Sequence, residues 1–147
     1  MGANVDSQEV LDLFDEFTKV ASNSLEFMSM DFWEISTEKA NIDKGTLRGS
    51  IQADKQNDYQ WIVGTNLEYA ADVHDGTPPH EIKAKSGKAL GPITITGSYL
   101  GVSQSGKAFF RVVHHPGYKG NPFFDDSLEI IENQLNDYVG MAMKAIT

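Results

Sequence analysis

The feature that most constrains this chain is an apolar stripe near its start. Val10, Leu13, Phe14, Phe17, Val20, Leu25, Met28, Phe32 and Ile35 recur at helical steps, which places them along one side of a single helix of roughly seven or eight turns. Asp6 with Glu9 three residues later has capping-box spacing, so the helix is expected to begin there. Its second half is apolar on another side as well. Phe27, Met30 and Trp33 lie off the stripe, and two readings stand beside each other: a wider contact with the chain's own core, or a subunit interface.

After this helix the pattern dissolves. Glu38 to Gly49 is polar, with Asn41, Asp43 and Gly45 supplying turn chemistry, and Thr46 to Ile51 reads equally as a helical turn or a strand entry. Asp54 to Asp58 is a polar gap, Tyr59 to Thr65 a strand by composition, and Tyr69 to Val73 a short strand or a single helical turn. From Thr77-Pro78-Pro79 to about residue 92 little apolar content holds the chain down, which predicts a mobile loop or an arm for a partner. Ile93 to His114 reads as a hairpin with Ser105-Gly106 at a turn.

The stretch FFRVVHHPGYKGNPFFDDSL, residues 109–128, then packs a strand end, a stiff loop and a helix start together. Pro116 and Gly117 stop the strand, Asn121 is placed to cap the next helix, Pro122 suits its first position, and Asp125 and Asp126 suit its positive end. Phe123 and Phe124 are expected to pin that helix to the core. It runs to about Ile146, with Gly140 as its weak point. The fold class that follows is α+β: a long N-terminal helix, an antiparallel sheet of three to four strands with a long loop, and a C-terminal helix packed on the sheet.

Residues 1–147 suit one domain, large enough to bury a core without metal or disulfide. No apolar run approaches the roughly 18 residues of a membrane span, so no membrane partner is expected. The start, MGANVDSQEV, lacks the basic head and apolar region of a secretory signal. Cysteine is absent, which excludes disulfides, thiolate catalysis and Cys-type zinc sites and fits a reducing cytoplasm. With a net charge of −9 and no Lys/Arg run, tight nucleic-acid binding is not expected. A passage lined with carboxylates would instead let DNA pass without sticking.

The four histidines, His74, His80, His114 and His115, all lie within residues 74–115. A metal-dependent hydrolase using His74, Asp75, His80 and His114 is therefore the alternative in chemistry. Against it, His74 and His80 are separated by two prolines and match no ligand spacing, and neighbouring strand residues such as His114 and His115 point to opposite faces. No nucleophile motif, phosphate loop or dinucleotide fingerprint is present, so neither a catalytic residue nor a cofactor is expected.

Three segments carry a resemblance. Asp43-Lys44-Gly45-Thr46-Leu47-Arg48-Gly49-Ser50-Ile51, Tyr69-Ala70-Ala71-Asp72-Val73-His74-Asp75-Gly76-Thr77, and His115-Pro116-Gly117 with Asn121-Pro122-Phe123-Phe124 occur in this order. Together they resemble the D-T-G-x-L-R-x-S-I, Y-A-x-x-V-E-x-G-T and H-P-G-x-x-x-x-P-F segments of the head-to-tail joining, or tail-completion (neck), proteins of long-tailed bacteriophages. Lys44 and Thr46 depart from the family's spelling, and His74 stands where an acid is common. The resemblance implies a virion structural protein, a minor tail or minor capsid component. It would form a ring with itself, commonly hexameric, at the head–tail interface around the DNA channel. Its other partners would be the portal or adaptor proteins of the capsid connector and the tail tube or tail-terminator proteins. It gives Tyr69, Gly76, Thr77, Pro116, Gly117, Asn121, Pro122, Phe123 and Phe124 structural and assembly roles. A tail-terminator protein of the same particle is a further alternative.

Overall fold

The computed structural model describes residues 7–42, 45–85, 90–95, 98–99, 102–103 and 106–146, with the backbone alone within 91–108. The elements in chain order are α1 (Ser7–Lys39), α2 (Thr46–Ser50), β1 (Gln52–Asn57), β2 (Gln60–Gly64), α3 (Ala70–Asp75), β3 (Gly76–Thr77) and β4 (His80–Lys83). Then follow β5 (Leu90–Ile95), β6 (Ser98–Tyr99), β7 (Val102–Ser103), β8 (Gly106–Phe110), β9 (Val112–His115), β10 (Tyr118–Lys119), α4 (Phe123–Asn133) and α5 (Leu135–Ala145). The chain is thus α+β, with the long first helix and the C-terminal helical region that the apolar periodicity predicts. It divides into two compact units, Met1–Asp75 with Asn121–Thr147, and Gly76–Gly120.

In the first unit α1 is the axis. Its second half is covered by β2 and α4, and Leu25, Met28, Ser29 and Phe32 line a small cavity of about 200 Å³ with Trp61, Val63, Leu128 and Ile131. The helix's buried positions are serines, Ser24, Ser29 and Ser36, whose small side chains allow neighbouring elements to approach the helix closely. Ser24 and Ser29 satisfy their hydroxyls on the carbonyls of Val20 and Leu25 in the preceding turn. From the C-terminal side, Ile131, Tyr138 and Ala142 are buried. The hydroxyl of Tyr138 donates to Asp31 Oδ2 on α1 at 2.9 Å, and burial, that hydrogen bond and the Asp31 charge push its pKa up to about 12. The first half of α1 is different: Leu13, Phe14 and Phe17 are each more than 60% exposed, at 69%, 62% and 68%. The stripe is continuous in sequence, but its cover is not.

The sheet differs from the single antiparallel sheet of three to four strands read from the sequence. Among the described residues the strands form five separate two-stranded antiparallel ribbons. In the first unit β1 pairs with β2 around an irregularity between Lys55 and Asn57, and Asn57 Oδ1 accepts the Tyr59 N–H at 2.9 Å to close the turn. In the second unit the pairs are β3 with β10, β4 with β9, β5 with β8, and β6 with β7. Residues 107–114 do not form one strand, because Arg111 separates β8 from β9 and the two take different partners. Within 77–92, expected as a loop, β4 pairs residue for residue with β9 from His80↔His115 to Lys83↔Val112; residues 86–89 lie outside the described residues.

Two further expectations change. The final helix is two helices, broken at Gln134 (φ −104°, ψ 8°), with Gly140 inside the second. Gln134 directs its N–H to the Ile131 carbonyl three residues back, a tightened last turn. Asn121 does not cap α4: the cap position belongs to Pro122, with no side-chain cap bond. Asp6, the expected start of the capping box on α1, lies outside the described residues.

Candidate functional site

An α-helix ends with carbonyls that have no partner within the helix. The C-terminal end of α1 solves this with side chains from two of the three motif segments. Arg48 Nε donates to the Ala40 carbonyl at 2.7 Å, and Arg48 Nη2 donates to the Glu38 carbonyl. Asn121 Nδ2 donates to the Lys39 carbonyl at 2.9 Å and to Asn41 Oδ1 at 2.7 Å. Asn121 also donates its backbone N–H to the Val73 carbonyl at 2.9 Å, which brings in the remaining segment. Beneath these bonds Ala40, Leu47, Ile51, Ala70 and Phe123 form one buried cluster, with Trp33, Val63, Leu67, Val73 and Phe124 packed on it. The three segments therefore meet at one joint around the end of the long helix.

In the second unit the second and third of these segments meet again. β3 pairs with β10, Gly76↔Lys119 and Thr77↔Tyr118, and Pro116-Gly117 makes the turn between β9 and β10. The backbones approach so closely that a Cβ on Gly76 would lie 2.5 Å from Gly120 N and from Tyr118 O, and one on Gly117 would lie 2.6 Å from Thr77 O. Both glycines have positive φ, 82° and 86°, so the motif glycines are required twice over, by conformation and by space.

His74 is the most chemical residue of the first unit. Its Nδ1 donates to Asp75 Oδ1 at 2.6 Å, and its Nε2 faces Asp125 Oδ2 at 3.9 Å, beyond hydrogen-bond reach and with no other partner among the described residues. The ring packs edge-on against Phe123 at 5.3 Å between centroids and tilted against Phe124 at 6.1 Å. It borders a shallow cavity of about 380 Å³ lined by Gly64, Thr65, Leu67, Ala70, Ala71, Asp75 and Phe124. Ser50 and Thr65 hydrogen-bond each other at 2.6 Å, and among the described residues no hydroxyl bonds to His74.

The metal set His74, Asp75, His80 and His114 divides between the units. His74 and Asp75 belong to the first, His80 and His114 to the second, and among the described residues no three His, Asp or Glu side chains are grouped to hold an ion. In the second unit His80 stacks on its cross-strand partner His115 with centroids 5.0 Å apart. His80 Nδ1 lies 2.9 Å from the Pro78 carbonyl, so that nitrogen carries the proton. His115 Nδ1 accepts the Gly117 N–H at 3.1 Å, which commits its lone pair to the turn. His114 reaches Glu81 at 3.4 Å and, as the alternation requires, lies on the other face from His115.

The remaining site residues fall into place by burial. Phe123 is fully buried, Phe124 stacks on Phe32 at 5.8 Å, Pro122 opens α4, and Tyr69 supplies the carbonyl that accepts the Val73 N–H in α3. Phe27 and Met30 are partly exposed, at 37% and 43%. Trp33, grouped with them as an interface candidate, faces the protein's own core and donates its indole N–H to the Ile51 carbonyl at 2.9 Å. Arg48 and Tyr138, neither of them an expected site residue, hold α1 to the rest of its unit. The only sequence signal for Arg48 was its place in the first motif. No helix among the described residues is long and apolar enough to cross a membrane.

Comparison with protein-family models, with curated proteins and with solved structures gives no match for this chain.

Proposed function

We propose that this protein is a virion structural component of a long-tailed bacteriophage. In this reading it is a neck or tail-completion protein that forms a ring between the head connector and the tail and works by shape, without catalysis. The observation that carries the reading is the joint at the end of α1. Residues quoted for the three motif segments act there as tethers and packing, through Arg48, Val73, Asn121 and Phe123, and within the second unit two of the segments supply the close approach at Gly76 and Gly117. That is the use a scaffold makes of such residues. The net charge of −9 suits a wall past which DNA slides.

The reading is tested by mass photometry of the purified protein, alone and with portal-bearing capsids or purified tails. Ring-sized species, or retention on either particle, is the expected result. Stoichiometric zinc in the purified protein, or a hydrolytic activity lost on replacing His74 and His80 together, would contradict it.

A further inference from the structure

Among the described residues, the first four turns of α1 and α5 share an open apolar groove of about 660 Å³. Leu13, Phe14, Phe17 and Val20 form one wall, and Val139, Met143 and Ile146 the other. Among the described residues this antiparallel helix pair lines its apolar seam without the third element that ordinarily closes one. The wall from Leu13 to Val20 spans eight residues, roughly 10 Å at helical rise, which matches about two turns of a helix laid along it.

Charge selects the occupant. Glu9, Asp12 and Glu16 are spaced i, i+3, i+7, so they form a row along one edge of the groove, and Glu16 contributes to the wall itself. All three are exposed. A second copy of this chain would bring the same acidic row and a net charge of −9 to a self-complementary contact, where like charges oppose each other. A helix with basic residues beside its apolar face satisfies both the seam and the row.

We propose that this groove receives one helix of a cationic partner protein, with apolar residues at i, i+3, i+4 and i+7 and Lys or Arg along the edge that meets Glu9, Asp12 and Glu16. The inference stands on the groove alone and goes beyond the neck reading. It is tested with the full chain and a labelled synthetic 18-residue helical peptide carrying Leu at those positions and Lys on the flanks, compared with the same peptide carrying Glu on the flanks. Fluorescence anisotropy should show saturable binding of the Lys peptide, about tenfold or more tighter than the Glu peptide and weakening with added salt. Phe17→Asp should abolish binding, and the triple variant Glu9→Lys, Asp12→Lys, Glu16→Lys should reverse the preference between the peptides. Circular dichroism should be unchanged in both variants, because the altered side chains are exposed. No binding, equal binding of the two peptides, or a concentration-dependent dimer that Phe17→Asp dissociates would overturn the proposal, the last assigning the groove to a second copy. No phage particle enters this assay, so its failure and a failure of ring assembly are separate results.

Discussion

Asn121 offers the sharpest test of how the joint is held. Its amide nitrogen makes two neutral hydrogen bonds, to the Lys39 carbonyl and to Asn41 Oδ1, each worth about 0.5–1.5 kcal/mol net. The site is partly exposed, so Asn121→Ala should destabilise the first unit by about 1–2 kcal/mol. Asn121→Asp is nearly isosteric, and on contact count alone it should be the milder change. Electrostatics reverses that order. A carboxylate can only accept, so it would face the Lys39 carbonyl with no proton to share, and it would do so at the negative end of the α1 dipole, where an anion is disfavoured by about 0.3–1 kcal/mol. Asn41 can turn its own amide to donate; Lys39 cannot. Asp should therefore be less stable than Ala by about 0.5 kcal/mol or more. Both tryptophans, Trp33 and Trp61, lie in the first unit, so urea unfolding followed by tryptophan fluorescence reads that unit directly. A change under about 0.3 kcal/mol for Asn121→Ala, or Asp as stable as Ala at equal m-value, would refute the tether.

Other expectations follow from single contacts. Gly140→Ala should stabilise the first unit by up to about 1 kcal/mol in thermal or urea unfolding, since Gly140 is inside α5 and a Cβ there meets nothing within 4 Å. Gly117→Ala should destabilise the second unit by more than about 1 kcal/mol, from the left-handed backbone and the 2.6 Å approach to Thr77 O together; amide hydrogen exchange at β3 and β10 would show it. Pro116→Ala and Asn121→Ala should each lower melting temperature and ring yield more than His114→Ala, whose side chain is 79% exposed. Tyr138 has its pKa raised in the folded protein, so its stabilising contribution is complete below pH 10 and declines as pH rises from 10 to about 12. Over that interval the parent should lose on the order of 2 kcal/mol more than Tyr138→Phe in urea titrations at matched pH.

What the sequence revealed tracks the range of the interaction concerned. The α1 periodicity is a local property and was legible over the whole helix; whether an element covers it is not local, so the exposed half at Leu13, Phe14 and Phe17 was invisible. β1, QADKQN, looked like a polar gap because its strand has one partner and an exposed face, and so needs no apolar alternation. Strand partners could not be read from the β-rich composition around residues 93–114, and Arg111, an ordinary residue in sequence, is where the pairing changes. Asn121 before Pro122 has the local chemistry of a helix cap, and a tertiary demand, the unmet carbonyls at the end of α1, took its side chain instead. For the site, the motif residues were found by pattern, whereas their convergence depended on contacts 80 or 82 residues apart in the chain. His74 and Asp75 came together as sequence neighbours do; Asp125 joined them only through the fold.

The most direct test of the central claim is electron microscopy of the purified protein incubated with portal-bearing capsids and with tails, scored for added density at the neck. A closed ring coaxial with the DNA channel on either particle is the expected result. Particles that carry no added density, together with a protein that forms no ring in any mixture, would contradict the account.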